Sequence, residues 1–315
     1  MAVNKNGIVV MGAVFVDIKG FPDDVYIPDG RNAGKVEYIH GGVSRNVVED
    51  IANMELRPTF LSIVDESALG DAVVRKLNNH KVNTEYIQSA PNGMGTWLAV
   101  FDNNGDLAGS ISQRPDLMPL LDVLEKKGDE IFANADSIII EVDVDKEIVK
   151  KVVELCEKHQ KKLYGVVSNM SIAVERRDFL QKFDCFICNQ LEAGMFFADD
   201  FSETAPKELA EILAKKLQLA KIPSMVVTMG GAGSVYADMK GKKGFCPAKK
   251  VQVKDTTGAG DAFCAGVSSG LTYGRTLAES VEIGTRLAAS VITSSENVST
   301  FSSWTTWNRG IKRVS

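Results

Sequence analysis

The sequence predicts an α/β protein: a mostly parallel sheet with helices on both faces, plus a small β-sheet attached as a lid. Strand-like and helix-like patterns alternate along most of the 315 residues. The strand-like segments are continuous apolar runs rather than alternations, as expected of strands covered on both faces. Two further segments have β-type residues with no helix between them, and these suggest the lid.

Ile8–Val16 reads as the first buried strand. It is short, ends before Asp17 and has no small-residue cleavage pattern after it, unlike a signal peptide. Val25–Ile39 is β-type but split by Gly and Asp clusters. Val43–Met54 reads as a helix, Thr59–Val64 as a strand and Ala68–Asn79 as a helix. Thr96–Asp102 and Asp106–Ser112 form a hairpin, with Asn103-Asn104-Gly105 supplying the positive-φ turn. Ser137–Val142 is an apolar strand and Lys146–Lys158 a helix. Lys162–Val167, Asp184–Cys188 and Ser224–Thr228 are short apolar strands. Thr204–Leu219 begins with a Thr cap and Pro206, then places Leu209, Ile212, Leu213 and Leu217 on one helix face. Lys250–Lys254 alternates like a strand, and Ala262–Leu271 is a small-residue apolar helix. The chain reads as one domain, 1–315, with lid insertions at about 18–40 and 95–113.

Apolar residues make up 44% and charged residues 24%, which suits a soluble globular protein. The net charge of −5 argues against a nucleic-acid partner. No apolar run approaches the ~20 residues of a membrane span. Five cysteines in a chain of this length argue against a disulfide framework and point to the reducing cytoplasm. Gly30 to Lys35 imitates a phosphate loop, but its spacing is short and Val36 replaces the Mg2+-binding hydroxyl. Cys185 and Cys188 face opposite sides of a strand, which argues against zinc.

The most informative segment is Asp255-Thr256-Thr257-Gly258-Ala259-Gly260-Asp261-Ala262-Phe263. Residues 258–260 have almost no side chain and sit where a helix begins, so backbone N–H groups and the helix dipole there favour an anion. Asp261, in the first turn, is suited to accept a proton from a hydroxyl attacking a bound phosphate. The plainer alternative is a tight turn with a helix-capping Asp. Elsewhere, Asp17 lies near the C-terminal edge of the first strand, where open α/β sheets bind ligands. Gly41 and Gly42 open a helix with Asn46 one turn in. Asn189 and Glu192 follow a strand and offer hard oxygen ligands to Mg2+. Thr228, Gly230, Gly231 and Gly233 form a glycine loop after another strand. Each has a plain reading too: a loop acid, a glycine turn, a helix cap or a hairpin.

The segment 255–261 resembles the signature Asp-Thr-x-Gly-Ala-Gly-Asp of the PfkB, or ribokinase-like, carbohydrate kinases, without a gap. Gly41-Gly42-Val43-Ser44-Arg45-Asn46 resembles the family's first signature, and Asn189-Gln190-Leu191-Glu192 its Asn-x-x-Glu motif. The resemblance implies a ribokinase-like fold and transfer of phosphate from ATP to an alcohol. Gly258, Ala259 and Gly260 would hold the transferring phosphate, and Asp261 would deprotonate the acceptor. Asp17, Gly41, Gly42 and Asn46 would contact the sugar. Thr228, Gly230, Gly231 and Gly233 would lie near ATP, and Asn189 and Glu192 would position Mg2+ through water. Asp255 and the carbonyls near Thr257 and Ser290–Thr293 could hold K+. The lid would close over the sugar, and its exposed strand edges could form a homodimer contact.

Within the family, Asn32 to Asn46 is most similar to pseudouridine kinases, making pseudouridine the leading acceptor. Two departures, Gly165-Val166 and Ser112-Gln113-Arg114, fall near the expected base site and leave the nucleobase open. A ribokinase or 2-keto-3-deoxygluconate kinase type is the alternative. Asp261 argues against a non-catalytic sugar sensor, and the lack of Gly-x-Gly-x-x-Gly after the first strand argues against a dinucleotide oxidoreductase.

Overall fold

The structure is a computed structural model that describes residues 6–294, 296–307 and 309. The first part of the chain runs β1 (Gly7–Met11), β2 (Phe15–Pro22), β3 (Gly34–Gly41), α1 (Val43–Asn53), β4 (Thr59–Val64), α2 (Ala68–Asn79), β5 (Ile87–Ser89), β6 (Gly95–Phe101) and β7 (Leu107–Gln113). Next come α3 (Pro119–Asn134), β8 (Ala135–Glu141), α4 (Lys146–His159), β9 (Leu163–Val166), α5 (Met170–Ala173), α6 (Arg177–Leu180), β10 (Cys185–Asn189) and α7 (Gln190–Phe197). The last part is α8 (Pro206–Ala220), β11 (Ser224–Thr228), β12 (Ser234–Asp238), β13 (Lys243–Cys246), α9 (Ala259–Thr272), α10 (Leu277–Val291) and α11 (Trp304–Trp307).

The large sheet has the order β13-β12-β11-β10-β9-β8-β1-β4-β5. From β5 to β11 the pairings are parallel, and β12 and β13 add an antiparallel edge. The parallel strands must be covered on both faces, and they are. Leu124, Val149, Phe196 and Leu213 from α3, α4, α7 and α8 pack into one core. Val47, Leu77, Val267 and Leu287 from α1, α2, α9 and α10 pack into the other. Cys185 and Cys188 fall into opposite cores, as their spacing on a strand requires, and all five cysteines are free. Among the described residues no helix is long and apolar enough to cross a membrane.

A separate four-stranded sheet, β3-β2-β6-β7, forms beside the large one. The hairpin β6–β7 turns at Gly105, φ 83°. The strand order reverses at β1: β4 lies on one side of it and β8 on the other. Ligands of open α/β sheets bind outside the strand ends at such a point.

Several expectations change. The Thr204 cap is not formed: α8 starts after Ala205, which makes no side-chain cap hydrogen bond. The apolar run Ile8–Val16 is two strands, broken at 12–14, and Asp17 lies in β2 of the small sheet rather than at the end of the first strand. The break is enforced at Gly12, where a Cβ would lie 2.1 Å from Ser44 Oγ and 2.3 Å from Glu141 Oε2. Only the later part of Val25–Ile39 is strand, and residues 23–33 are loop. Residues 250–254 are irregular rather than a strand, with Val251 and Val253 both exposed. The edge strands β12 and β13 were not anticipated. The loop Met229–Gly233 is the hairpin turn between β11 and β12.

Candidate active site

A cavity of about 360 Å³ opens at the C-terminal ends of β1 and β8, facing the small sheet. Its volume suits a small ligand. It brings together Asp17, Gly41, Gly42, Asn46, Thr257 and Asp261, which are widely separated in the sequence. The junction of β3 and α1 is packed too closely for side chains. Gly42 has φ 101°, and a Cβ there would lie 2.6 Å from Ala13 O; one on Gly41 would lie 3.0 Å from Asp17 Oδ1. Fully buried Arg45 fixes this junction from below. Its Nε donates to Gly41 O at 3.3 Å, Nη2 donates to His40 O, and Nη1 meets Glu49 Oε2 at 2.6 Å.

Asp261 sits in the first turn of α9. Gly258 begins this helix at φ 79°, and a Cβ there would lie 1.9 Å from Asn297 O. A Cβ on Gly260 would meet nothing within 4 Å. The Ala259 N–H donates to Thr256 O at 3.2 Å. Asn46 Nδ2 donates to Asp261 Oδ2 at 2.6 Å. Asn46 Oδ1 is buried and has no partner among the described residues, so it is free to accept a hydroxyl. Part of Asp261 reaches the cleft surface, yet protein crowds its carboxyl closely. Burial pushes its pKa up to about 7, against Asn46 and Arg45, and Glu192 pushes the same way as burial. Burial also raises Asp17, against Lys19 and Arg45.

Glu141, Asp143 and Trp97 also line the cavity and were not read as site residues from the sequence; Arg114, read there only as a departure near the expected base site, lines it too. Glu141 accepts from Ala13 N at 3.0 Å and Ser44 Oγ at 2.8 Å. Burial, and then neighbouring Asp143, push its pKa above the usual carboxylate range. Asp143 accepts from Ser168 N at 2.9 Å and Ser168 Oγ at 2.8 Å. The visible signal was an acid, Glu141, inside an otherwise apolar strand run, because a buried carboxylate needs partners.

A second cleft, about 920 Å³, lies between α7 and the end of β11. Asn189 and Thr228, register neighbours on β10 and β11, line it together with Gly230. Gly230 and Gly231 stand in open space, where a ligand can approach their backbone. Gly233 instead holds the turn: it is buried at φ 107°, and a Cβ there would lie 2.2 Å from Cys246 O. Asn189 and Glu192 form a capping box, with Asn189 Oδ1 accepting from Glu192 N at 2.8 Å and Glu192 Oε2 from Asn189 N at 2.7 Å. Burial raises the Glu192 pKa, and Asp143 adds to it. The described residues bring no three His, Cys, Asp or Glu side chains together to cage a metal. Mg2+ keeps several waters and binds through one or two carboxylates and phosphate oxygens, so this donor set fits it. Asp255 is exposed and accepts from Thr257 N at 2.8 Å, which holds its pKa below the usual range. Lys254 N donates to Ile292 O at 2.8 Å, tying this segment to the end of α10.

Residues 5–304 match the pfkB family carbohydrate kinase. The chain belongs to the pfkB family of carbohydrate kinases. This pfkB kinase is a phosphotransferase with an alcohol acceptor, of the sugar and nucleoside kinase type. It is 35% identical to the guanosine-inosine kinase of Exiguobacterium acetylicum over 93% of this chain and 96% of that one. It is 24% identical to the pseudouridine kinase of Escherichia coli over 88% and 87%. The structure of Arabidopsis thaliana ribokinase complexed with ribose and ATP superimposes with a TM-score of 0.83, at 18% identity, over 97% of this chain and 99% of that one. The fold of this pfkB kinase is ribokinase-like.

Proposed function

We propose that this pfkB kinase transfers the γ-phosphate of ATP to the 5′-hydroxyl of a purine ribonucleoside carrying a 6-oxo group. The observation that carries the transfer is the Asn46–Asp261 pair at the start of α9, inside the smaller cavity. Guanosine or inosine replaces pseudouridine as leading acceptor because the guanosine-inosine kinase is the nearer of the two relatives, 35% against 24% identical.

Asp17 and the free Asn46 Oδ1 hold ribose hydroxyls. Asp261, its Oδ2 held by Asn46, then takes the proton of the 5′-hydroxyl on its carboxylate as the hydroxyl oxygen bonds to phosphorus and ADP leaves. Gly258, Ala259 and Gly260 receive the phosphoryl oxygens at the helix start, where the dipole favours negative charge. ATP lies along the larger cleft against Thr228, Gly230 and Gly231, with Gly233 shaping the turn. Asn189 and Glu192 would hold Mg2+ through water, and the ion would supply positive charge to neutralise the transferring phosphate. Asp255 and the carbonyls near Thr257 and Ser290–Thr293 are the proposed K+ site. The small sheet, spanning about 18–40 and 95–113 within a single 1–315 domain, acts as a lid that excludes water. A reducing compartment such as the cytoplasm suits five free cysteines.

An ADP-release assay over guanosine, inosine, pseudouridine, uridine and ribose tests this. Guanosine or inosine should win by about tenfold or more in kcat/KM. A free sugar winning by that margin overturns the nucleoside reading. In the same assay Glu192→Gln should raise the Mg2+ concentration for half-maximal rate. An unchanged titration would reduce Glu192 to a helix cap.

The homodimer reading rests on the outer face of the lid. Register neighbours Tyr38, Ile18, Leu98 and Ile111 form an apolar row there, with Tyr38 60% and Ile111 70% exposed. Large exposed apolar patches mark interaction sites. Ile111→Glu should convert a dimer to a monomer in sedimentation; an unaltered profile removes this face from the interface.

A further inference from the structure

We propose that Arg114 reads the base: its guanidinium donates to the O6 and N7 acceptors of a 6-oxopurine and selects against adenine. The inference rests on the nucleoside reading and deepens it.

The placement follows from strand register. Asp17, Trp97 and Ser112 are successive partners on β2, β6 and β7, so they form one row on the inner face of the small sheet, and all three line the smaller cavity. Strands lie ~4.8 Å apart, so the row from Asp17 to Ser112 spans ~10 Å, about the length of a nucleoside. With the ribose at Asp17, the base passes Trp97, an aromatic side chain on which bases stack. Its far edge reaches the end of β7, where Arg114 follows Ser112 by two residues and lines the same cavity.

Arg114 is anchored but not used up. Its Nη2 donates to Asp143 O at 2.8 Å and lies 3.8 Å from Asp143 Oδ2. Asp143 is itself buried and fixed by both donors of Ser168. No other hydrogen bond of this guanidinium forms among the described residues, and 47% of the side chain remains exposed. A guanidinium offers donors only, in a fixed fork. The base edge it meets must therefore present adjacent acceptors. Guanine and hypoxanthine present O6 beside N7, the pair arginine reads bidentately. Adenine places an amino donor at position 6. Uracil bases present a carbonyl with no adjacent ring acceptor like N7.

The test compares guanosine, inosine, adenosine and 7-deazaguanosine, in which a C–H replaces N7, in the unaltered protein and in Arg114→Met. In the unaltered protein, guanosine and inosine should exceed adenosine and 7-deazaguanosine in kcat/KM by roughly ten- to a hundredfold, the discrimination of one bidentate pair. In Arg114→Met both ratios should collapse toward unity in a protein that still unfolds cooperatively, even though loss of the contact to buried Asp143 lowers its melting temperature. Equal turnover of guanosine and 7-deazaguanosine by the unaltered protein overturns the proposal without any variant. A folded Arg114→Met that keeps the ratios overturns it as well. With ribose added to the panel, turnover of ribose but of no nucleoside overturns the underlying nucleoside reading and this inference together. Guanosine turnover without discrimination overturns only the role of Arg114.

Discussion

Replacing Asp261 by Asn is expected to lower kcat by about three orders of magnitude or more, the upper range for a removed acid–base group. The shape of the carboxyl is kept, so nucleotide binding should hold. The same residue sets the pH dependence. Its pKa is pushed up to about 7, so kcat/KM should rise with pH along a limb centred near that value as the base loses its proton. Stability should move the other way. The native state holds this proton more tightly than the unfolded chain, whose Asp titrates near ~4. The native advantage is therefore complete below about pH 4 and is lost as pH climbs through the folded value. Asp261→Asn removes that loss, so above neutral pH its melting temperature should equal or exceed that of the unaltered protein. A variant retaining a tenth of the rate, or a limb unmoved from about pH 4, would remove Asp261 from the role of base.

The second large effect is structural. Glu49 is fully buried and holds Arg45 at 2.6 Å and Lys76 at 3.0 Å, with His80 at 3.7 Å. Glu49→Gln leaves the Arg45 guanidinium buried without its charge partner, which is expected to cost about 3–5 kcal/mol. Burial alone would raise the Glu49 pKa, but Arg45 and Lys76 outweigh it and hold it below the usual value. Its contribution is thus present above the unfolded pKa of about 4.3 and is lost as pH falls through the lowered folded value. Urea unfolding at neutral pH checks the size of the effect. A change under about 1 kcal/mol, close to the ordinary range for surface substitutions, would show the pair contributes little. Because Arg45 also holds the His40 and Gly41 carbonyls, kcat/KM should fall along with stability.

What could be read beforehand divides along physical lines. The parallel strands were legible because strands covered on both faces are largely apolar, as in β1 and most of β4. The same uniformity concealed the break at Gly12: apolar residues continue through it, and only the crowding by Ser44 and Glu141 reveals why the chain turns. Residues 250–254 failed the opposite way. Val251 and Val253 alternate properly, but alternation supplies no partner strand, and the segment lies outside both sheets. The glycine-rich motifs were legible because a missing Cβ has local consequences. Gly258 is one case, since its carbonyl neighbour Asn297 leaves no room for any side chain. Glu141, Asp143 and Arg114 were harder to see. Glu141 showed only as an acid inside an apolar run and Arg114 only as a departure near the base site, because what they do comes from contacts distant in sequence, such as Arg114 to Asp143.

The two faces of the small sheet have a consequence for how relatives of this chain can diverge. Each strand alternates residues of the inner row, such as Asp17 and Trp97, with residues of the outer row, such as Ile18 and Leu98. Insertion or deletion of one residue within β2 or β6 would exchange the rows, burying Leu98 in the cavity and turning Trp97 outward. Length changes inside these strands should therefore survive only in pairs. The loops at 23–33 and 103–105 carry no such parity and can lengthen freely. Within β2 and β6 themselves an alignment gap of odd length marks lost function unless a bulge absorbs it, as at Val100/Phe101, and a gap in the loops carries no such meaning.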